Sequence, residues 1–443
     1  MSTRETFSTR LGLLATMIGL AVGLGNVWRF PYMLGRFGGG AFLLLYLVIA
    51  ALVAIPALIG EWSLGRHTRR GPLGAFERVG LPGGRVVGWL LIGIVWAAVS
   101  YYTNAIGWVV FHAVSALLTP LGRPVDASAI LPPSAGFSAT AMILQVVFTS
   151  LVLFAQASVL LRGVRAGIER ASKVLTPILF GSLLVVIVRS VTLPGAGRGV
   201  AWLFAFDVSS VTPTVAIAAL GQVVFSVGLG GTLMLVYGSY LSEDTDIRVD
   251  ATFTVIGDTA AGLLAGLAIF PAVFAFGLEP ASGPGLLFET LPRVFDEIPL
   301  GWLFGVLFFG GLSGAALLSG IAAYEVLVAG FTDTFGWSRR RAVWTVYAGS
   351  LLLALPPMIN LRIFVPWDLA FGSGGQTLGA LIAVMTVGWV MRRATLLEQI
   401  AGPTPGFSDR MLVVWLRWVV PGAVLAASVW WFLSDVLGAV GTG

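Results

Sequence analysis

Apolar residues in this chain come in long blocks rather than in alternation with polar ones. Residues 86–122, 208–242 and 369–391 contain no Asp, Glu, Lys or Arg. A helix needs about 20 apolar residues to cross the hydrocarbon core of a bilayer, so each block is long enough for one crossing. Short Arg-, Gly- and Pro-containing stretches separate the blocks. The pattern predicts eleven membrane spans, over 11–35, 40–64, 86–118, 139–161, 173–191, 213–241, 251–277, 300–329, 341–361, 371–391 and 411–434. No soluble domain fits between them. The longest connectors, near 119–138 and 278–299, carry few charges, and the second, with Gly283, Pro284 and Gly285, is expected to fold over one mouth as a lid.

Two spans contain an interruption. Span one carries Gly23, Leu24, Gly25 and Asn26, and span six carries Gly228, Leu229, Gly230 and Gly231. Glycine in a helix interior costs about 1 kcal/mol relative to Ala. Backbone groups freed at mid-membrane must be buried in protein or face a wet cavity. Span six lies five after span one, so the two segments run in opposite directions. Close packing through small residues accounts for one such cluster. A matched pair in inverted halves points instead to the binding site of a transporter.

Composition agrees with that class. The chain is 57% hydrophobic and 11% charged, against roughly 25% charged in soluble domains, which excludes soluble enzymes and nucleic-acid-binding domains. The net charge of +5 matters through its placement. Arg66, Arg69, Arg70, Arg78 and Arg85, then Arg162, Arg165, Arg170 and Lys173, then Arg339, Arg340 and Arg341 all fall on the side of the N-terminal arm. The excess of Lys and Arg on cytoplasmic loops puts the N-terminus inside the cell membrane and, after eleven spans, the C-terminus outside. There is no Cys, and the two histidines are His67 and His112, so thiolate and multi-histidine metal sites are excluded. No nucleophile–base–acid set occurs in the spans, and an enzyme is not expected.

At this point the motifs become specific. Arg10-Leu11-Gly12 and Ala21-Val22-Gly23-Leu24-Gly25-Asn26-Val27-Trp28-Arg29-Phe30-Pro31 closely resemble the first span of the neurotransmitter:sodium symporter family. Gly38 to Phe42, Glu61 to Arg66, Gly221-Gln222, Phe225, Ser239-Tyr240 and Phe270 to Phe274 continue the resemblance in order. It implies an all-α membrane protein with the inverted five-plus-five helix repeat of the leucine-transporter-like fold. Residues 1–191 would form the first repeat, 213–391 the inverted second and 411–434 an extra helix 11, with helices 1 and 6 broken. It further implies sodium-coupled import of a small amino acid by alternating access, as a monomer or homodimer in the lipid bilayer.

Residue by residue, the resemblance implies a first sodium site made by Ala21, Asn26, Ser226 and Asp258. Asp258 stands where the family usually has an asparagine, a departure that places a charge beside the ion. Tyr46, Gln222 and Ser226 match three positions of the family's chloride site, while the fourth falls near Gly262. Chloride is therefore expected not to be required, with Asp258 supplying the negative charge. A second sodium site would draw on Gly19, Val22, Ala315 and Ser319, but Leu318 occupies the place of one hydroxyl ligand, so one or two ions remain open.

For the substrate, the amides of Leu24 and Gly25 and the Tyr102 hydroxyl would hold a carboxylate, and carbonyls of Ala21, Phe225 and Ser226 an amine. Leu20, Ala98, Phe225, Gly228, Gly231, Ser319 and Ala323 would line the side-chain pocket. Gly23 replaces the Asp of monoamine transporters. An apolar, bulky or aromatic amino acid is expected. Arg29 with Asp368 match the outer gate, and Arg4, Asp333 and Tyr240 the inner one. Glu61 matches an acid that supports the unwound part of span six. A proton-coupled or weakly sodium-coupled transporter, and a sensor of the same fold that moves nothing, remain as alternatives.

Overall fold

The structure is a computed structural model that describes residues 5–122, 125–280 and 286–433. Among these, nine helices are long and apolar enough to cross a membrane, and a tenth crossing is the bent pair Arg10–Ala21 and Gly25–Arg36, which meet at 54°. The remaining expected span, the sixth, is two short helices, Pro213–Ser226 and Leu233–Gly238, with a non-helical link between.

Both breaks fall at the glycine clusters, and local chemistry explains how each is tolerated. In span one the helix ends where Val22 turns extended (φ −76°, ψ 114°). The Asn26 side chain then accepts the Gly23 N–H at 3.1 Å, and the Leu24 N–H donates to the Tyr102 hydroxyl at 3.2 Å. In span six Gly228 and Gly231 sit at φ +72° and +65°, a region that a residue with a Cβ enters only at a cost. The fully buried Glu61 accepts the N–H groups of Gly230 and Gly231 at 2.9 and 3.0 Å. Every freed donor in this list has found a protein partner, as a low-dielectric interior demands.

The unbroken helices form the frame. Span three (Gly84–Leu118) and span eight (Gly301–Phe335) pack along much of their length, and span eight also packs on span five. Small residues permit the approach: a Cβ built at Gly311 would lie 2.0 Å from Ser182 Oγ, and one at Gly330 3.1 Å from Ile92 Cδ1. Without a hydrophobic force between helices in lipid, such close backbone contact is what joins them.

Several boundaries differ from the pattern-based ones. Span five begins at Val164 rather than 173, because the Glu5 carboxylate accepts the Val164 and Arg165 N–H groups at 3.0 and 3.3 Å and so caps the added turns. Span eight continues to Phe335, and span ten starts at Leu361, which draws Asp368 into the helix. The loop after span seven carries Leu286–Thr290 and Leu291–Glu297, and Phe288 packs edge-on against Trp28 and Trp108 at 5.3 and 5.9 Å. That loop is the segment expected to fold over one mouth as a lid, and its Gly283, Pro284 and Gly285 lie outside the described residues.

Candidate functional site

The two breaks and spans three, eight and ten line a cavity. Leu20, Ala21, Gly25 and Ala98 are on its wall, as are Tyr102, Phe225 and Ser226, and then Gly228, Ser319 and Ala323. Two expected residues are elsewhere. Leu24 contributes its backbone N–H to Tyr102 while its side chain is buried away from the wall. Gly231 corrects the expected lining: it packs against span ten, where a Cβ would fall 3.0 Å from the Gly379 carbonyl oxygen. Gly230 and Thr232 line the cavity instead. The pattern also missed the contribution of span ten, where Phe371, Gly372, Gly375 and Gln376 complete the wall. No local motif marks these; only the packing of span ten against the break in span six brings them in.

Beside the cavity the structure assembles Asn26, Ser226 and Asp258 from three spans. Asn26 Nδ2 lies 2.7 Å from Asp258 Oδ1, 2.9 Å from the Asp258 carbonyl oxygen and 2.9 Å from Ser226 Oγ. Ser226 Oγ and Tyr46 Oη donate to Asp258 Oδ2 at 2.8 and 3.3 Å. Asp258 is fully buried, and among the described residues no Lys, Arg or His forms an ion pair with it. A buried carboxylate with no compensating cation is costly. Side-chain and backbone oxygens around a single negative charge suit a hard monovalent cation.

The neighbouring positions are filled by protein. Gln222 Nε2 donates to the Gly25 carbonyl at 3.1 Å. At Gly262 a Cβ would lie 3.0 Å from the Phe30 ring, which in turn packs on Tyr46 with centroids 4.8 Å apart. Between spans one and eight, the buried Leu318 presses a methyl against Gly19: a Cβ built there would be 3.0 Å from Leu318 Cδ1 and 2.4 Å from Thr176 Oγ1. Val22 and Ala315 are also buried here, whereas Ser319 turns to the cavity beside Gly23 and Tyr102.

The two mouths differ. At one, Arg29 lays its guanidinium over the Phe225 ring at 4.4 Å, and Asp368 accepts from the Tyr101 hydroxyl at 2.5 Å. Arg29 and Asp368 form no ion pair within 4.0 Å. At the other mouth polar contacts are dense. Fully buried Glu325 takes both Arg339 Nη1 (3.1 Å) and Nη2 (2.5 Å) and the Tyr240 hydroxyl (2.6 Å). Asp333 accepts the Gly71 N–H at 3.1 Å, and Arg10 pairs with Asp250 at 2.8 Å. Arg4, expected to join Asp333, lies outside the described residues.

Broken helices around an unpaired buried carboxylate and a cavity define a membrane transporter, and the comparisons with known proteins give its family. A model of the sodium:neurotransmitter symporter family matches residues 4–124 and 134–436. A sodium-dependent transporter of Haemophilus influenzae is 33% identical over 414 residues, covering 88% of this chain and 90% of that protein. The sodium-dependent transporter YhdH of Bacillus subtilis is 34% identical over 365 residues, 81% of this chain and 79% of that protein. The crystal structure of MhsT in complex with L-phenylalanine superposes with a TM-score of 0.86 at 33% identity, covering 99% of this chain and 100% of that one. This chain belongs to the sodium:neurotransmitter symporter family. It is a sodium-coupled membrane symporter with the leucine-transporter-like fold, and not an enzyme.

Proposed function

We propose that this protein imports an apolar, bulky or aromatic amino acid together with one sodium ion and without chloride. The observation that carries this reading is Asp258: a fully buried carboxylate without a counter-ion, adjoining a cavity lined by half-helix ends. A sodium ion among Asp258, Asn26, Ser226 and the Ala21 carbonyl would neutralise it. Asp258 Oδ2 already gathers the hydroxyls of Tyr46 and Ser226, donors that would otherwise serve an anion, which supports chloride independence. Leu318 against Gly19 supports a single ion rather than two.

The substrate carboxylate would meet the Leu24 and Gly25 amides and Tyr102, since helix N-termini and freed N–H groups favour anions. Small lining residues and the rings of Tyr102, Phe225 and Phe371 support a large apolar side chain, as does the phenylalanine bound to MhsT in its crystal structure. Residues 1–191 and 213–391 would be the inverted repeats, and 411–434 an added helix. The arginine clusters favour a cytoplasmic N-terminus.

The test is uptake of each of the twenty amino acids into proteoliposomes under an imposed sodium gradient, with chloride replaced by gluconate. Accumulation of large apolar amino acids supports the reading. Uptake driven by acid and indifferent to sodium would transfer the coupling to a proton, and saturable binding without accumulation would make the protein a sensor.

A further inference from the structure

Apart from Tyr101, Tyr102, Ser226 and Ser319, the polar side chains on the cavity wall gather at one place, where span ten meets the break in span six. Gln376 and Thr232 both line the cavity there, and a Cβ built at Gly230 would lie 3.4 Å from Gln376 Cγ and 3.5 Å from Thr232 Oγ1. The two polar side chains thus flank a single glycine. Gln376 Nε2 reaches the Phe225 carbonyl at 3.4 Å. An amide whose nitrogen is turned to the backbone has its oxygen left as an acceptor. Thr232, a largely buried residue, presents its hydroxyl on the same stretch of wall. Phe371 and Phe225 stand beside this polar spot.

We infer that Gln376, with Thr232, selects among large amino acids for those whose aromatic side chain bears a hydrogen-bond donor, a phenol or an indole N–H. This rests on the reading of the cavity as an amino-acid site and narrows its substrate class. The physical warrant is an asymmetry. A site built to hydrogen-bond a substrate group discriminates strongly against the analogue that lacks it, because its own polar groups are then left unpaired in a dry pocket. A purely apolar wall discriminates only by volume.

The experiment is equilibrium binding of tyrosine, tryptophan and phenylalanine to the purified full chain in saturating sodium. The same three titrations are run on Gln376→Met, which keeps the volume but removes the acceptor, and on Thr232→Val. Thermal melting in sodium confirms that each variant is folded, and Thr232→Val stands in if Gln376→Met is not. The parent chain should bind tyrosine or tryptophan at least about tenfold more tightly than phenylalanine, and that preference should collapse to within about twofold in Gln376→Met. A parent chain that binds all three equally, or a folded variant that keeps the preference, overturns the role of Gln376 and leaves the amino-acid site standing. If the parent binds none of the amino acids, the site assignment itself is overturned, and this inference with it.

Discussion

The amide nitrogen of Asn26 lies 2.7 Å from a carboxylate oxygen of Asp258, although 232 residues separate them in the chain. This contact joins the break in span one to the middle of span seven, where Asp258 is fully buried. A negative charge at that depth requires a cation for balance. Replacing it with the neutral isostere should therefore weaken sodium most. In Asp258→Asn, sodium-driven uptake in chloride-free medium is expected to fall at least about tenfold, with part of it restored by added chloride. Uptake measured in gluconate and in chloride checks this; equal activity of variant and parent in both media would remove Asp258 from the ion site.

Leu318 offers a gain-of-function test. Its methyl stands against Gly19, where Val22 and Ala315 are also buried. A hydrocarbon cannot ligate sodium, but a hydroxyl can. Leu318→Thr should turn a hyperbolic sodium dependence into a cooperative one. Trading a buried isobutyl group for a smaller polar one should lower the melting temperature without sodium, and sodium should recover part of the loss. A melting curve shifted equally with and without sodium, and a Hill coefficient unchanged, would show that no second site can be made here.

The worth of the pair Arg339–Glu325 depends on which partner is removed. Glu325 is fully buried and receives two guanidinium nitrogens and a phenol. Taking away the cation leaves a buried unpaired carboxylate, a loss of about 3–5 kcal/mol. Arg339→Leu should accordingly be far less stable than the double variant Arg339→Leu, Glu325→Met, in which both charges are gone. Melting temperatures of the two in the same detergent decide it, and equal destabilisation would mean that the pair is solvated.

Much of this site is legible in the residues because its signals are chemical and local. Glycine pairs inside apolar blocks mark the breaks, and Asp258 and Glu61 stand out as acids within uncharged surroundings. The contacts of Asn26 with Ser226 and Asp258 fall where the motifs imply. What could not be read is set by packing between distant spans. Gln376 and Phe371 enter the cavity only because span ten crosses the break in span six. The start of span five at Val164 depends on Glu5, a residue in the N-terminal arm with no sequence signal of its own. Gly231 shows the limit within a motif: two adjacent glycines look alike in sequence, yet Gly230 lines the cavity while Gly231 packs against Gly379 of span ten.

Glu61 separates support from ion binding. Its Oε1 holds the N–H groups of Gly230 and Gly231 at 2.9 and 3.0 Å, on the side of the break that faces span two. Removing it leaves two buried donors unpaired, each worth about 1–3 kcal/mol. Glu61→Leu should then lose several kcal/mol of stability and bind no substrate, since the break would no longer hold its shape. Glu61→Gln keeps an acceptor for both donors and gives up the charge. It should melt only slightly lower than the parent and retain sodium-coupled uptake with unchanged sodium affinity. Melting curves and sodium titrations of uptake for the two variants check this together. If Glu61→Gln instead lost sodium dependence while remaining folded, Glu61 would belong to the ion path, and the broken helix would need another support.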